Sequence, residues 1–278
     1  MTKTAAPMTS GSIWKQMTFF AMPIFLGNLF QQLYNTVDSL IVGNFLGSSA
    51  LAAVSSSGSL IFMLIGFLSG ISAGAGVIVA RFFGAGDEKN LQRAVHTTVA
   101  FGLVAGVLMT GVGVALSPQI LRWMDTPESV MRESVTYLQI YFAGSLGFVM
   151  YNVLVGILQA VGDSRHPLYY LIVSSVINLV LDLLFITGFH TGVGGAAVAT
   201  VISQIVSALL CFWQLLRTKE SYGLKIRKIR FDKGILVQII KIGLPSGVQN
   251  SIIAFANVVV QSNINAFGEM AMAGYGAY

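Results

Sequence analysis

Charge is what this sequence has least of. Only 10% of its 278 residues are Asp, Glu, Lys or Arg, against about 25% in a typical soluble domain. A chain with so little charge cannot cover a water-facing surface of its own size, which excludes an ordinary soluble globular domain. Cysteine occurs once, at Cys211. An intramolecular disulfide framework is thereby excluded, and the lone thiol reads as small apolar filler. The 16 Lys and Arg outnumber the 11 Asp and Glu, yet they form no continuous basic face that would suit nucleic acid. They gather between apolar stretches, the pattern of membrane topology. A cleavable signal peptide is not expected: the first ten residues are polar, and the apolar run from Met17 is too long and too polar inside for a signal core.

What is abundant is apolar sequence, 55% of the chain. Long hydrophobic stretches recur throughout, so the expected class is an all-α polytopic membrane protein. Seven segments can be marked: 14–43, 49–81, 91–116, 133–161, 167–188, 193–217 and 234–267. The first, second, fourth and seventh exceed the ~20 residues a span needs, so they should tilt, bend or project. If the N-terminus lies inside, fourteen of the 16 basic residues fall on that same side, and only Arg122 and Arg132 fall on the other. The positive-inside rule then predicts a cytoplasmic N-terminus in a cell membrane, the bacterial cytoplasmic membrane. Turn chemistry agrees. Gly84-Ala-Gly-Asp87 separates the second and third segments. Asp163-Ser164 ahead of Pro167 should cap the fifth, and Gly188 with Gly192 to Gly195 should turn the chain into the sixth.

Two aspartates, Asp38 and Asp182, lie inside apolar segments. A carboxylate in hydrocarbon costs from about 2.5 to 10 kcal/mol or more, and such residues usually face a protein-lined cavity. No basic residue inside the spans is available to neutralise them. The first and fifth segments both run outward, ending near Gly43 and Gly188. At 1.5 Å per residue the two carboxylates therefore sit roughly 8–9 Å below the outer rim. Thr200, six residues into the inward-running sixth segment, reaches the same level. Asn178 shares the face of Asp182 one turn away, while Gln31, Tyr34, Asn35 and Asp38 form one polar stripe at helical spacing. Carboxylates, an amide and a hydroxyl at one depth suit a hard cation such as Na⁺ or a proton relay. Two carboxyls a few ångströms apart should also share a proton. Tyr34, Asn178 and Thr200 can equally serve as hydrogen bonds between helices.

Other features read as structure. The glycine rows Gly66, Gly70, Gly74 and Gly102, Gly106 are close-packing faces. Pro23 interrupts the backbone ladder of the first segment, either as a static kink or as a bending point used in transport. The seventh segment echoes the first. Pro23 aligns with Pro245 and Asn35 with Asn257 at an offset of 222 residues, whereas Asn44, Gly47, Ala50 and Ala52 align with Asn265, Gly268, Ala271 and Ala273 at 221. Both segments run the same way, so a six-helix unit would repeat in parallel, as in transporters built of two halves. No acid in the second copy matches Asp38: the offsets give Val260 or Val259. The expected organisation is a six-helix lobe over 1–217, a basic linker over 218–233, and the first helix of a second lobe over 234–278, with the rest of that lobe beyond the given sequence.

The run from Pro23 to Asp38, followed by Val42-Gly43 and Leu51-Ala-Ala-Val54, resembles the opening helices of the multidrug and toxic compound extrusion (MATE) transporters. So do Phe83-Gly-Ala-Gly-Asp87, Leu158-Gln-Ala-Val-Gly-Asp163 with Pro167, and Asn178-Leu-Val-Leu-Asp182. The resemblance covers essentially the whole chain. It implies twelve helices in two six-helix lobes around a central cavity, exporting organic, often cationic compounds against inward Na⁺ or H⁺. It implies no catalysis and no cofactor beyond the coupling ion, with small-molecule drugs and the lipid bilayer as partners and a monomer as the working unit of the full-length protein. The family's N-lobe cation site falls on Asp38, Asn178, Asp182 and Thr200, with backbone near Ala196 and Ala197. A conserved tyrosine of the family falls on Tyr137 and a cavity-lining asparagine on Asn152, while Val155 stands where some relatives carry another asparagine.

Two rivals remain at this level. A flippase for lipid-linked oligosaccharides has a similar two-lobe fold, but its pyrophosphate substrate calls for a basic cavity that these spans do not offer. An intramembrane aspartyl protease would use Gly84-Ala-Gly-Asp87 as its signature, yet Asp87 falls among Arg81, Glu88 and Lys89 in a turn. An ion channel is disfavoured by the proline-interrupted first segment and the repeat, which suit alternating access.

Overall fold

The computed structural model describes residues 12–277. All regular structure among them is helical: α1 (Ile13–Leu46), α2 (Ser48–Gly84), α3 (Glu88–Trp123), α4 (Glu128–Ala143), α5 (Ser145–Ala160), α6 (Arg165–Leu183), α7 (Val193–Arg217), α8 (Lys233–Asn265) and α9 (Glu269–Ala277). Residues 1–11 and 278, where the expected polar N-terminus falls, lie outside the described residues.

Four of these helices pass individually as apolar membrane spans besides α8, and α4 with α5 makes a further one bent by 49° at Gly144. The fourth segment, expected over 133–161 and long enough that it should tilt, bend or project, is thus a broken span. α1 is long enough to cross a bilayer at 34 residues but is not apolar enough to pass by hydropathy. Its polar stripe is the reason. Rows of exposed apolar side chains, such as Val104, Val107, Leu108 and Val112 on α3 and Val173, Val176 and Val180 on α6, form the surface that lipid would cover.

Local chemistry sets the helix ends. Asp87 caps α3 by accepting from the Asn90 N–H at 3.1 Å. The Asn90 backbone N–H, and next its side-chain amide, hold the Asp87 carboxyl below the usual carboxylate range. Asp232 caps α8 through the Ile235 N–H at 3.1 Å. At α6 the cap comes from Asp163, which accepts from the His166 N–H at 3.2 Å, rather than from Ser164. After Asp182 the helix does not simply stop: residues Leu184–Gly188 form a π-helical turn, a form concentrated at functional sites.

The core has two large apolar clusters and a small third one that joins Ala52 and Ala53 to Val130, Met272 and Ala273. One of the large clusters, at the basic end of the bundle, joins α2, α3, α5 and α7 with the linker residues Tyr222 and Leu224. The other, nearer the acidic site, joins α1 to α4, α7 and Ile186. Both glycine rows are close-packing faces. A Cβ on Gly106 would meet the Leu146 backbone at 2.9 Å, and Cβ atoms on Gly70 and Gly74 would overlap the backbones of Gly247 and Gly243. α8 therefore lies along α2 at backbone contact. Asn265 and Gln261 add a buried polar chain: Gln261 Nε2 donates to Asn265 Oδ1 at 2.9 Å, and Asn265 Nδ2 donates to the Met124 carbonyl at 2.9 Å.

Candidate functional site

The depth argument placed four polar side chains on three helices at one level, and the fold brings three of those helices together. α1 packs on α6, and α6 packs on α7. Asp182 is fully buried, Asn178 is buried one turn before it, and Thr200 is buried on α7. Asn178 Nδ2 donates to Thr200 Oγ1 at 3.5 Å, and the Thr200 hydroxyl donates to the Ala196 carbonyl at 3.1 Å. The Asp38 and Asp182 carboxyls lie within reach of each other. Neither can donate when both are ionised. Both Asp182 carboxylate oxygens and Oδ1 of Asp38 are buried with no donor in good hydrogen-bond geometry, the Asn178 amide being the polar neighbour of Asp182.

Unpaired buried carboxylate oxygens are strongly disfavoured, and the ion pairs among the described residues lie elsewhere, at Arg93–Asp232 and His166–Asp163. The arrangement is therefore an acceptor cluster that a proton or a small cation would complete. A cavity of about 230 Å³ between α1 and α6 is bordered by Tyr34, Asp38, Asn178 and Asp182, with apolar Leu33 and Val176 at its wall.

The polar stripe of α1 does not act as one surface. Tyr34 and Asp38 border the α1–α6 cavity. Asn35 is exposed and faces a separate cleft of about 470 Å³ that reaches Ala273 and Gly276 of α9. Gln31 lines a third cavity of about 340 Å³, together with Pro23, Asn152 and Val155. The Asn152 amide donates to its own helix, at the Phe148 carbonyl, 2.9 Å away. Tyr137, grouped with the cavity-lining residues on resemblance, is instead buried in the apolar cluster beside the acidic pair. α1 continues as helix through Pro23.

Sequence reasoning missed Asn28, Ser69, Ser72 and Gln159, which share the cavity with Gln31 and Asn152. Asn28 was detectable, being three residues before Gln31 on the same helical face. The serines on α2 were not, since single hydroxyls in apolar helices rarely mark a site. Asp87 is a solvent-side helix cap, on a different element from the acidic pair, which removes the basis of the protease reading.

Long apolar helices with two carboxylates set among them define a polytopic membrane protein. The MatE family model matches residues 23–184, more than half of the chain, and the chain belongs to that family. It is 35% identical over 272 residues to the probable multidrug resistance protein YoeA of Bacillus subtilis (strain 168), covering 95% of this chain and 59% of that protein. It is 26% identical to the multidrug export protein MepA of Staphylococcus saprophyticus, covering 95% and 59%. Among solved structures, an inward-facing multidrug resistance MATE family transporter matches with a TM-score of 0.82 at 28% identity, over 89% of this chain and 56% of that one. An outward-facing one shares the fold at a TM-score of 0.79, over 95% and 68%. The chain thus spans about three-fifths of the length of its curated relatives.

Proposed function

We propose that this chain supplies the N-terminal lobe and the start of the C-terminal lobe of a secondary active multidrug exporter. Entry of Na⁺ or H⁺ at Asp38 and Asp182 drives the efflux of organic, often cationic, compounds. The observation that carries this reading is the buried pair itself: three carboxylate oxygens with no donor in good hydrogen-bond geometry, on helices α1 and α6, beside the Thr200–Asn178 bond. Emptied and ionised, the pair repels itself. Loaded with a cation or a proton it can pack closely, so occupancy biases α1 between two positions, which is what coupling requires. The π-turn after Asp182 and Pro23 in α1 are the points at which the two helices can yield.

The cavity around Gln31 and Asn152 is the drug-contacting wall in this scheme. Its lining is neutral and includes Tyr151 and Phe148, which suits an organic cation held by aromatic faces and amide oxygens. No Lys or Arg lines it, which speaks against a pyrophosphate-bearing substrate. The basic residues support a cytoplasmic N-terminus in the bacterial cytoplasmic membrane, and the full-length protein works as a monomer. The test is ethidium efflux by the full-length protein under separately imposed Na⁺ and pH gradients. Asp38→Asn and Asp182→Asn are each expected to reduce gradient-driven efflux to background while membrane insertion persists. Wild-type efflux in either variant would sink the assignment, and the gradient that drives the wild type names the ion.

A further inference from the structure

At the basic end of the bundle, the linker between α7 and α8 is not a loose tether. Its backbone is pinned to the first three turns of α3. Gln92 Nε2 donates to the carbonyls of Ser221 and Gly223. His96 Nε2 accepts from the Lys225 N–H at 3.0 Å, and Thr97 Oγ1 accepts from the Asp232 N–H at 3.1 Å. Tyr222 and Leu224 are buried in the core beneath. Between this strap and α3 lies a pocket of about 520 Å³. Five cations border it: Lys89 and Arg93 from α3, and Arg227, Lys228 and Arg230 from the linker. Asp232 is the one acid in its lining, and that carboxylate is engaged by Arg93 at 2.8 Å. Among the described residues Lys89, Arg227, Lys228 and Arg230 form no ion pair.

We propose that this pocket binds the phosphate headgroup of an anionic phospholipid. Like charges gathered on a pinned backbone repel one another, and a phosphate placed among them would both relieve that repulsion and accept their N–H groups. The choice of a lipid over a free phosphate compound rests on the neighbours. Ile226 and Phe231 alternate with the cations and are 60% and 48% exposed. An acyl chain would cover them, whereas a soluble phosphate would not. The site also sits where the spans α3, α7 and α8 end, at the level of headgroups. A lipid held there would reinforce the strap that fixes the start of α8 against α3, so its occupancy bears on how freely α8 moves relative to the first six spans.

The test is equilibrium binding to the detergent-purified full-length protein, read by native mass spectrometry. The probes are dioctanoyl phosphatidylglycerol, dioctanoyl phosphatidylcholine and glycerol phosphate. Phosphatidylglycerol should bind well above the other two. The triple variant Arg227→Gln, Lys228→Gln, Arg230→Gln should weaken it roughly 100-fold, at about fivefold per cation. Lys228→Gln alone should weaken it about fivefold and guards against misfolding of the triple variant. Lys241→Gln, a basic residue outside the pocket lining, should leave it unchanged. Equal binding of the two lipids, or an unaffected triple variant, overturns the proposal. Glycerol phosphate binding as tightly as the lipid overturns the lipid and leaves a soluble phosphate ligand.

Discussion

The pair α1–α2 and the start of its repeat, α8–α9, share a helix-break-helix pattern but carry different chemistry. α1 has 34 residues and α8 has 33, each with an internal proline, Pro23 or Pro245. α1 and α2 are joined at Gly47, with φ 88°, and α8 and α9 by residues 266–268, which end at Gly268 with φ 90°; these two glycines are the ones that the 221-residue offset aligned. The chemistry does not repeat. Asp38 of α1 meets Asp182, while its counterparts on α8, Val259 and Val260, are 45% and 47% exposed. The comparison teaches that the helix-break-helix pattern recurs without its acid: α8 carries valines where α1 carries Asp38.

Moving the acid tests this most severely. In the full-length protein, Asp38→Asn combined with Val260→Asp should leave efflux at background, because Val260 is 47% exposed and does not border the cavity at Asp182. Insertion should also suffer, by no more than the about 2.5–3.5 kcal/mol that an uncompensated aspartate costs at the centre of a span. Restored efflux would show the two copies to be chemically interchangeable and would break the comparison.

The next effect concerns the seam between the copies. Gly70→Ala would drive its Cβ into the Gly247 backbone, whereas Gly66→Ala meets Asn250 only at 3.6 Å, ordinary contact. Thermal unfolding in detergent should show Gly70→Ala destabilised by about 1–3 kcal/mol and Gly66→Ala nearly silent. Equal stability of the two variants would mean that α8 does not lie at backbone contact with α2.

The smallest effect sharpens the comparison where the copies should agree. A Cβ on Gly47 or on Gly268 meets nothing within 4 Å, so alanine at either site tests backbone strain alone. Each should cost about 1 kcal/mol, and the two costs should match. A large cost at one and none at the other would show that the two breaks are held differently.

Much of the site was legible because helical rise is constant. Counting residues from the outer ends put Asp38, Asp182 and Thr200 at one level, and the Asn178–Thr200 bond and the adjoining carboxyls are consistent with it. The α1 stripe was legible as polar but not as divided. Gln31, Tyr34, Asn35 and Asp38 spread over about 100° of the helix circumference. That arc is wide enough to face α6 on one side and α9 on the other, and only the neighbours decide which residue sees which cleft. A bend was among the expectations for the fourth segment, but its place at Gly144 escaped for a related reason: where an apolar run bends depends on what the helix packs against, here Val201 of α7.

The sequence by itself determined that this chain spans a membrane, which residues mark its basic end, that its acids lie deep, and that its first unit recurs after about 221 residues. Those follow from composition and from fixed helical periods, which act locally. Only the tertiary structure decided which carboxylates meet, that Tyr137 packs beside them, that α8 lies against α2 through paired glycines, and that the linker is strapped to α3. Each of these is a contact between residues far apart in the chain, and contact depends on how the helices pack, not on what any one of them contains.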